Sequence, residues 1–89
     1  MDLVNADIKL NRSSTFVLDA IDRVSNCRFT IMNAGMGIDT PIIVDGHAAF
    51  IDNVILTEIK NPILQRSSTA LVHGNIIKWY RSVLVGRGK

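Results

Sequence analysis

The chain has 89 residues, a net charge of +2 and 47% hydrophobic residues, which suits one domain and is too short for two. Its single cysteine, Cys27, excludes an internal disulfide, and neither His47 nor His73 joins it at a zinc-ligand spacing. The weak positive balance does not argue for a polyanion, so nucleic acid is not an expected partner.

No apolar run approaches the ~18 residues of a membrane span. The opening Met1-Asp2-Leu3-Val4-Asn5 lacks the basic head and apolar stretch of a signal peptide. No membrane partner is expected, and the location is left open between a virion and the cytoplasm, either of which suits a lone thiol. A domain of this size buries only about 60% of the surface its unfolded chain exposes. With no disulfide and no metal, a partner subunit is the expected source of added stability.

In chain order, residues 1–15 are expected to form an N-terminal cap or arm, 16–85 the body of the domain and 86–89 a basic tail. The body carries an internal repeat. Leu18-Asp19-Ala20, Val44-Asp45-Gly46 and Val72-His73-Gly74 each read apolar, polar, tiny, and they are 26 and 28 residues apart. An apolar-rich segment follows each: Val24 to Met32, Phe50 to Ile59, and Ile76 to Leu84. The first two begin alike, Val24-Ser25-Asn26-Cys27-Arg28-Phe29 against Phe50-Ile51-Asp52-Asn53-Val54-Ile55, and the third aligns through Gly74-Asn75-Ile76-Ile77. Met36-Gly37-Ile38 and Asn61-Pro62-Ile63 close the first two units, with Val83-Leu84 as a third instance. A period of 20 to 30 residues points to a solenoid of short strands.

The stretch Val24 to Phe29, followed by Asn33-Ala34-Gly35-Met36-Gly37-Ile38, resembles a coil of the right-handed parallel β-helix superfamily, which includes pectate-lyase-like enzymes and phage tailspikes. The resemblance covers roughly residues 16–85. It implies an all-β fold of three to four coils, strands stacked about 4.8 Å apart, and apolar columns running through the coils. The expected columns are Leu18–Val44–Val72, Phe29–Ile55–Ile77 and Ile38–Ile63–Val83. Gly46 and Gly74 are expected at corners requiring positive φ, and Pro41 and Pro62 in connecting loops.

A small α+β domain is the alternative. Phe16, Val17, Ala20, Ile21 and Val24 follow helix spacing behind Ser13 and Ser14. So do Ile76, Ile77, Tyr80, Val83 and Leu84 behind Asn75 and before Gly86. That reading places helices near 16–25, 48–59 and 76–85 and strands near 27–32 and 41–45.

Three groups of residues are candidates for chemistry. Asp19, Asp45 and His73 would form an outward polar ladder beside the corner glycines, able to meet a cation or a sugar, or simply a solvated corner. Asp39, Asp45 and Asp52 could be compared with the calcium sites of pectate-lyase-like enzymes, but they lack the dense spacing that six to eight oxygen ligands require. Lys78-Trp79-Tyr80-Arg81 is an aromatic and basic cluster suited to a sugar ring, a base or, preferentially, a subunit interface. Cys27 is expected to be a buried structural thiol, and no catalytic residue, metal or cofactor is expected.

These observations favour a non-enzymatic structural or attachment module, self-associating and tailspike-like or virion-borne. The trimer and the glycan as ligand come from the resemblance. A fragment or relative of a carbohydrate-active β-helix enzyme is the second reading. An α+β regulatory or nucleic-acid-binding domain is the third.

Overall fold

The computed structural model describes residues 1–11, 14–32, 40–59 and 61–79. Eleven short strands alternate with turns, and there is no helix among the described residues. The helices of the α+β alternative are thus replaced by short strands and turns in 16–25, 48–59 and 76–79, and the rest of the expected third helix, 80–85, lies outside the described residues. Their helical spacing has a simple origin. A short strand, a tight turn and another short strand also bring apolar side chains back every three or four residues.

The strands are β1 (Asp2–Val4), β2 (Asp7–Leu10), β3 (Phe16–Leu18), β4 (Arg23–Ser25), β5 (Arg28–Ile31), β6 (Ile42–Val44), β7 (Ala49–Ile51), β8 (Val54–Thr57), β9 (Ile63–Gln65), β10 (Leu71–His73) and β11 (Ile76–Trp79). All pair in parallel, each with its equivalent one coil away. Three sheets result: A is β1-β4-β7-β10, B is β2-β5-β8-β11 and C is β3-β6-β9. The chain is a β-solenoid of about three turns. Within residues 1–15, β1 and β2 stack on β4 and β5.

Strand alternation fills the interior. Sheet A contributes the column Leu3–Val24–Phe50–Val72. Sheet B contributes Ile8–Phe29–Ile55–Ile77 and Leu10–Ile31–Thr57–Trp79. Sheet C contributes Phe16–Ile42–Ile63 and Leu18–Val44–Gln65. Phe29 ties the sheets together, with ring centroids 5.3 Å from both Phe16 and Phe50. Val24, Phe29, Ile42, Val44, Phe50 and Ile55 are fully buried.

The Phe29–Ile55–Ile77 column is the one expected. The Leu18–Val44–Val72 column is not: Gln65 follows Val44, and Val72 lies on Phe50 in another sheet. Ile63 stacks on Ile42, while Ile38 and Val83 lie outside the described residues. The misalignment has a physical cause, since each coil has two corners with one signature. An inward apolar residue, an outward residue and a positive-φ residue close β3 and β6 (Leu18-Asp19-Ala20, Val44-Asp45-Gly46), and the same order closes β1, β4, β7 and β10, where the outward residue is Val4, Ser25, Ile51 or His73. Val72-His73-Gly74 belongs to the second set, with Leu3-Val4-Asn5, Val24-Ser25-Asn26 and Phe50-Ile51-Asp52.

Pro41 and Pro62 are buried immediately before β6 and β9. Their carbonyls accept the amides of Phe16 (2.7 Å) and Ile42 (2.9 Å), so the stacked chain uses only the group that proline retains. No helix among the described residues is long and apolar enough to cross a membrane.

Candidate functional site

The corner between sheets A and B is the most regular feature of the molecule. Two residues always join the strands: Asn5-Ala6, Asn26-Cys27, Asp52-Asn53 and Gly74-Asn75. The first of each pair is left-handed, with φ of 58°, 53°, 55° and 74°. Asn, Asp and Gly are the residues that tolerate this conformation best.

The second of each pair occupies the inside of the corner, where Asn53 and Asn75 build a ladder. Asn53 Oδ1 accepts the Cys27 amide (2.9 Å), and Asn53 Nδ2 donates to the Val24 carbonyl (3.1 Å). One coil on, Asn75 Oδ1 accepts the Asn53 amide (2.9 Å) and Asn75 Nδ2 donates to the Phe50 carbonyl (3.0 Å). Asn53 Nδ2 also reaches Asn75 Oδ1 at 3.2 Å. Each carboxamide therefore accepts from a turn amide and donates to a strand carbonyl of the preceding coil, so the fully buried Asn53 has partners for both its oxygen and its nitrogen.

On the solvent side of this corner lies an open concavity of about 450 Å³, lined by Asn5, Ala6, Asp7, Asn26, Cys27, Arg28, Asp52 and Val54. Asp7, Arg28 and Val54 share one outward row of sheet B. The surface is a mixture of carboxamides, two carboxylates and a guanidinium, suited to hydrogen bonding with a hydroxyl-rich molecule. Among the described residues no three His, Cys, Asp or Glu side chains are grouped to hold a metal ion.

The corner between sheets C and A holds the predicted polar ladder in a different composition. Asp45 follows Asp19, and the next coil supplies Arg66 in place of His73. Asp19 Oδ1 accepts the Ala20 amide (2.7 Å), and Asp45 Oδ1 accepts the Gly46 amide (2.8 Å). Both carboxylates thus stabilise their own left-handed turns. Arg66 approaches Asp45 at 3.6 Å. His73 ends β10 and pairs with Ile51, on the neighbouring sheet. Close by, Asp22 Oδ2 accepts the Asp19 amide (2.9 Å), and Asp22 Oδ1 meets the Met1 amine (3.0 Å). The Asp19 amide, then the Met1 amine, hold the Asp22 carboxyl below its ordinary pKa.

Of the aromatic and basic cluster, Lys78 and Trp79 lie in β11, while Tyr80 and Arg81 fall outside the described residues. Alternation separates the first two. Lys78 follows Leu56 on the outward row, whereas Trp79 follows Thr57 in an inward column. Trp79 Nε1 donates to the Glu58 carbonyl at 3.2 Å. Asp52 sits in the corner concavity and Asp45 at the other corner, so these two aspartates are not grouped; Asp39 falls outside the described residues. The asparagine ladder escaped the sequence reading, although the pairs Asp52-Asn53 and Gly74-Asn75 carried its signal. Comparison of the chain with protein-family models, curated proteins and solved structures finds no match.

Proposed function

We propose that the chain is a structural or attachment module that works by self-association. One observation carries this reading: ten large apolar side chains among the described residues are exposed, and most lie in ordered positions. Leu71, Ile76, Ile77 and Trp79 occupy the last two described strands, and Val17 and Leu64 lie on the outside of sheet C. Ordered apolar exposure of this kind marks a protein contact more often than a solvated surface.

The attachment role and a virion setting draw their support from the resemblance to tailspikes. The trimer does too. Sedimentation equilibrium of the full chain tests self-association directly. The expected result is a mass above the 9.8 kDa of one chain. A folded monomer at all concentrations up to about 0.5 mM, where even a weak complex would form, overturns the reading.

Glycan capture is a second reading, favoured by the concavity that Asn5, Asn26, Asp7, Arg28 and Asp52 share. A glycan array probed with the wild-type chain and with Arg28→Ala tests it. Binding lost in the variant supports it, and no binding to any glycan removes it.

A further inference from the structure

We infer that two copies of this chain pair through the outer face of sheet C, about a two-fold axis parallel to β6. The inference rests on the self-association reading and assigns it a surface and, in place of the trimer that the resemblance implies, a two-fold pair.

The face has an unusual order. Val17, Ile43 and Leu64 are the outward residues of β3, β6 and β9, and they stand in register. Outward strand positions on a solvated face are ordinarily polar. Here all three are apolar, and Val17 is 50% and Leu64 42% exposed. Two residues further along each strand direction come Asp19, Asp45 and Arg66. Backbone bonds from the Asp45 amide to the Leu18 carbonyl (2.9 Å) and from the Arg66 amide to the Val44 carbonyl (2.8 Å) hold them in the same stack. An apolar row therefore runs beside a charged row that reads acidic, acidic, basic from the first coil to the third.

That order selects the partner and the geometry. A two-fold axis along β6 reverses the coil order while preserving strand direction. It sets Val17 against the second copy's Leu64, Ile43 against Ile43, and Asp19 against Arg66, twice by symmetry. The two Asp45 carboxylates meet at the axis, each already close to its own Arg66 at 3.6 Å. An axis along the solenoid instead matches each apolar residue with itself and sets the charged row against positions 15, 41 and 62. Those are Thr15, Pro41 and Pro62, so no opposite charges meet. Charge complementarity favours the first arrangement.

Three short strands offer less than the roughly 800 Å² per partner of a standard interface. The pair is expected to be weak and sensitive to salt, because its charges lie at the rim.

The test is sedimentation equilibrium of the full chain, with circular dichroism confirming that each variant remains folded. Ile43→Lys is expected to raise the dimer Kd by at least about tenfold, since it sets two like charges face to face. Asp19→Arg and Arg66→Asp should each weaken the dimer, and the double variant should recover most of the loss. A dimer indifferent to Ile43→Lys but lost in Trp79→Ala overturns this surface while leaving self-association intact. A trimer, or failure of the double variant to recover, overturns the two-fold geometry. A monomeric wild-type chain overturns both the inference and the reading beneath it.

Discussion

The Cys27 thiol donates to the Leu3 carbonyl at 3.6 Å, the same cross-coil bond that Asn53 Nδ2 makes to Val24 at 3.1 Å and Asn75 Nδ2 to Phe50 at 3.0 Å. Cys27 thus occupies a rung of the asparagine ladder. It also lies 3.3 Å from the Ser25 carbonyl. A thiol is a weak donor and has no amide oxygen to offer the Ala6 N–H.

Cys27→Asn should complete the rung. Its Nδ2 would meet the Leu3 carbonyl and its Oδ1 the Ala6 amide. The expected gain is about 1 kcal/mol, the net worth of an added hydrogen bond. A higher denaturant midpoint at unchanged m-value would show it. An unchanged or lowered midpoint would mean that the corner cannot admit the larger side chain.

Asn53→Ala should be far more damaging than Cys27→Ala. It removes the acceptor for the Cys27 amide and the donors to Val24 and Asn75. Each buried group left unpaired costs about 1–3 kcal/mol, enough to unfold a small domain. Urea titration followed by circular dichroism compares the two variants. Equal losses would show that the ladder is not a source of stability.

The two corner glycines should differ. A Cβ on Gly46 would lie 2.7 Å from the Ala20 backbone nitrogen and 2.8 Å from Asp19 Oδ1, at φ of +58°. Backbone cannot move aside, so Gly46→Ala should cost more than the ~1–2 kcal/mol of the left-handed conformation alone. At Gly74 the added atom would meet the Asp52 carboxylate, which can rotate away. Gly74→Ala should therefore be the milder change. Ala20, itself at φ of 52°, should tolerate glycine with little or no loss. Thermal midpoints of the three variants rank these effects.

Val44→Asp should abolish folding. Val44 is fully buried between Leu18 and Gln65, and a carboxylate there would be charged and unpaired. A cooperative transition retained near the wild-type midpoint would contradict the column.

Acid should weaken the corner held by Asp22. The carboxyl is held below its ordinary value of 3.8, first by the Asp19 amide and then by the Met1 amine. A lowered folded-state value gives stabilisation that is complete above the ordinary value and disappears as pH falls through the lowered one. Asp22 is only partly buried and its partner is an exposed chain terminus, so the effect is small. Asp22→Asn should flatten that part of the stability profile below pH 3.8. An unaltered slope there would show that the contact does not persist in solution.

The sequence by itself determined the kind of fold. Val24 to Phe29 and Phe50 to Ile55 repeat with apolar residues at matching places, and both are followed by further strand-like segments. Gly46 and Gly74 marked corners that do adopt positive φ, because glycine meets no Cβ penalty there. What only the tertiary structure decided was which residues stack. The two corners of each coil share one local signature, so Val72-His73-Gly74 could be aligned with either, and the choice moved Val72 and His73 to another sheet. The rungs Cys27, Asn53 and Asn75 were equally hidden, because their bonds span 22 to 29 residues of chain. Local pattern specifies where a strand bends; only hydrogen bonding between coils fixes the register that turns Arg66, and not His73, toward Asp45.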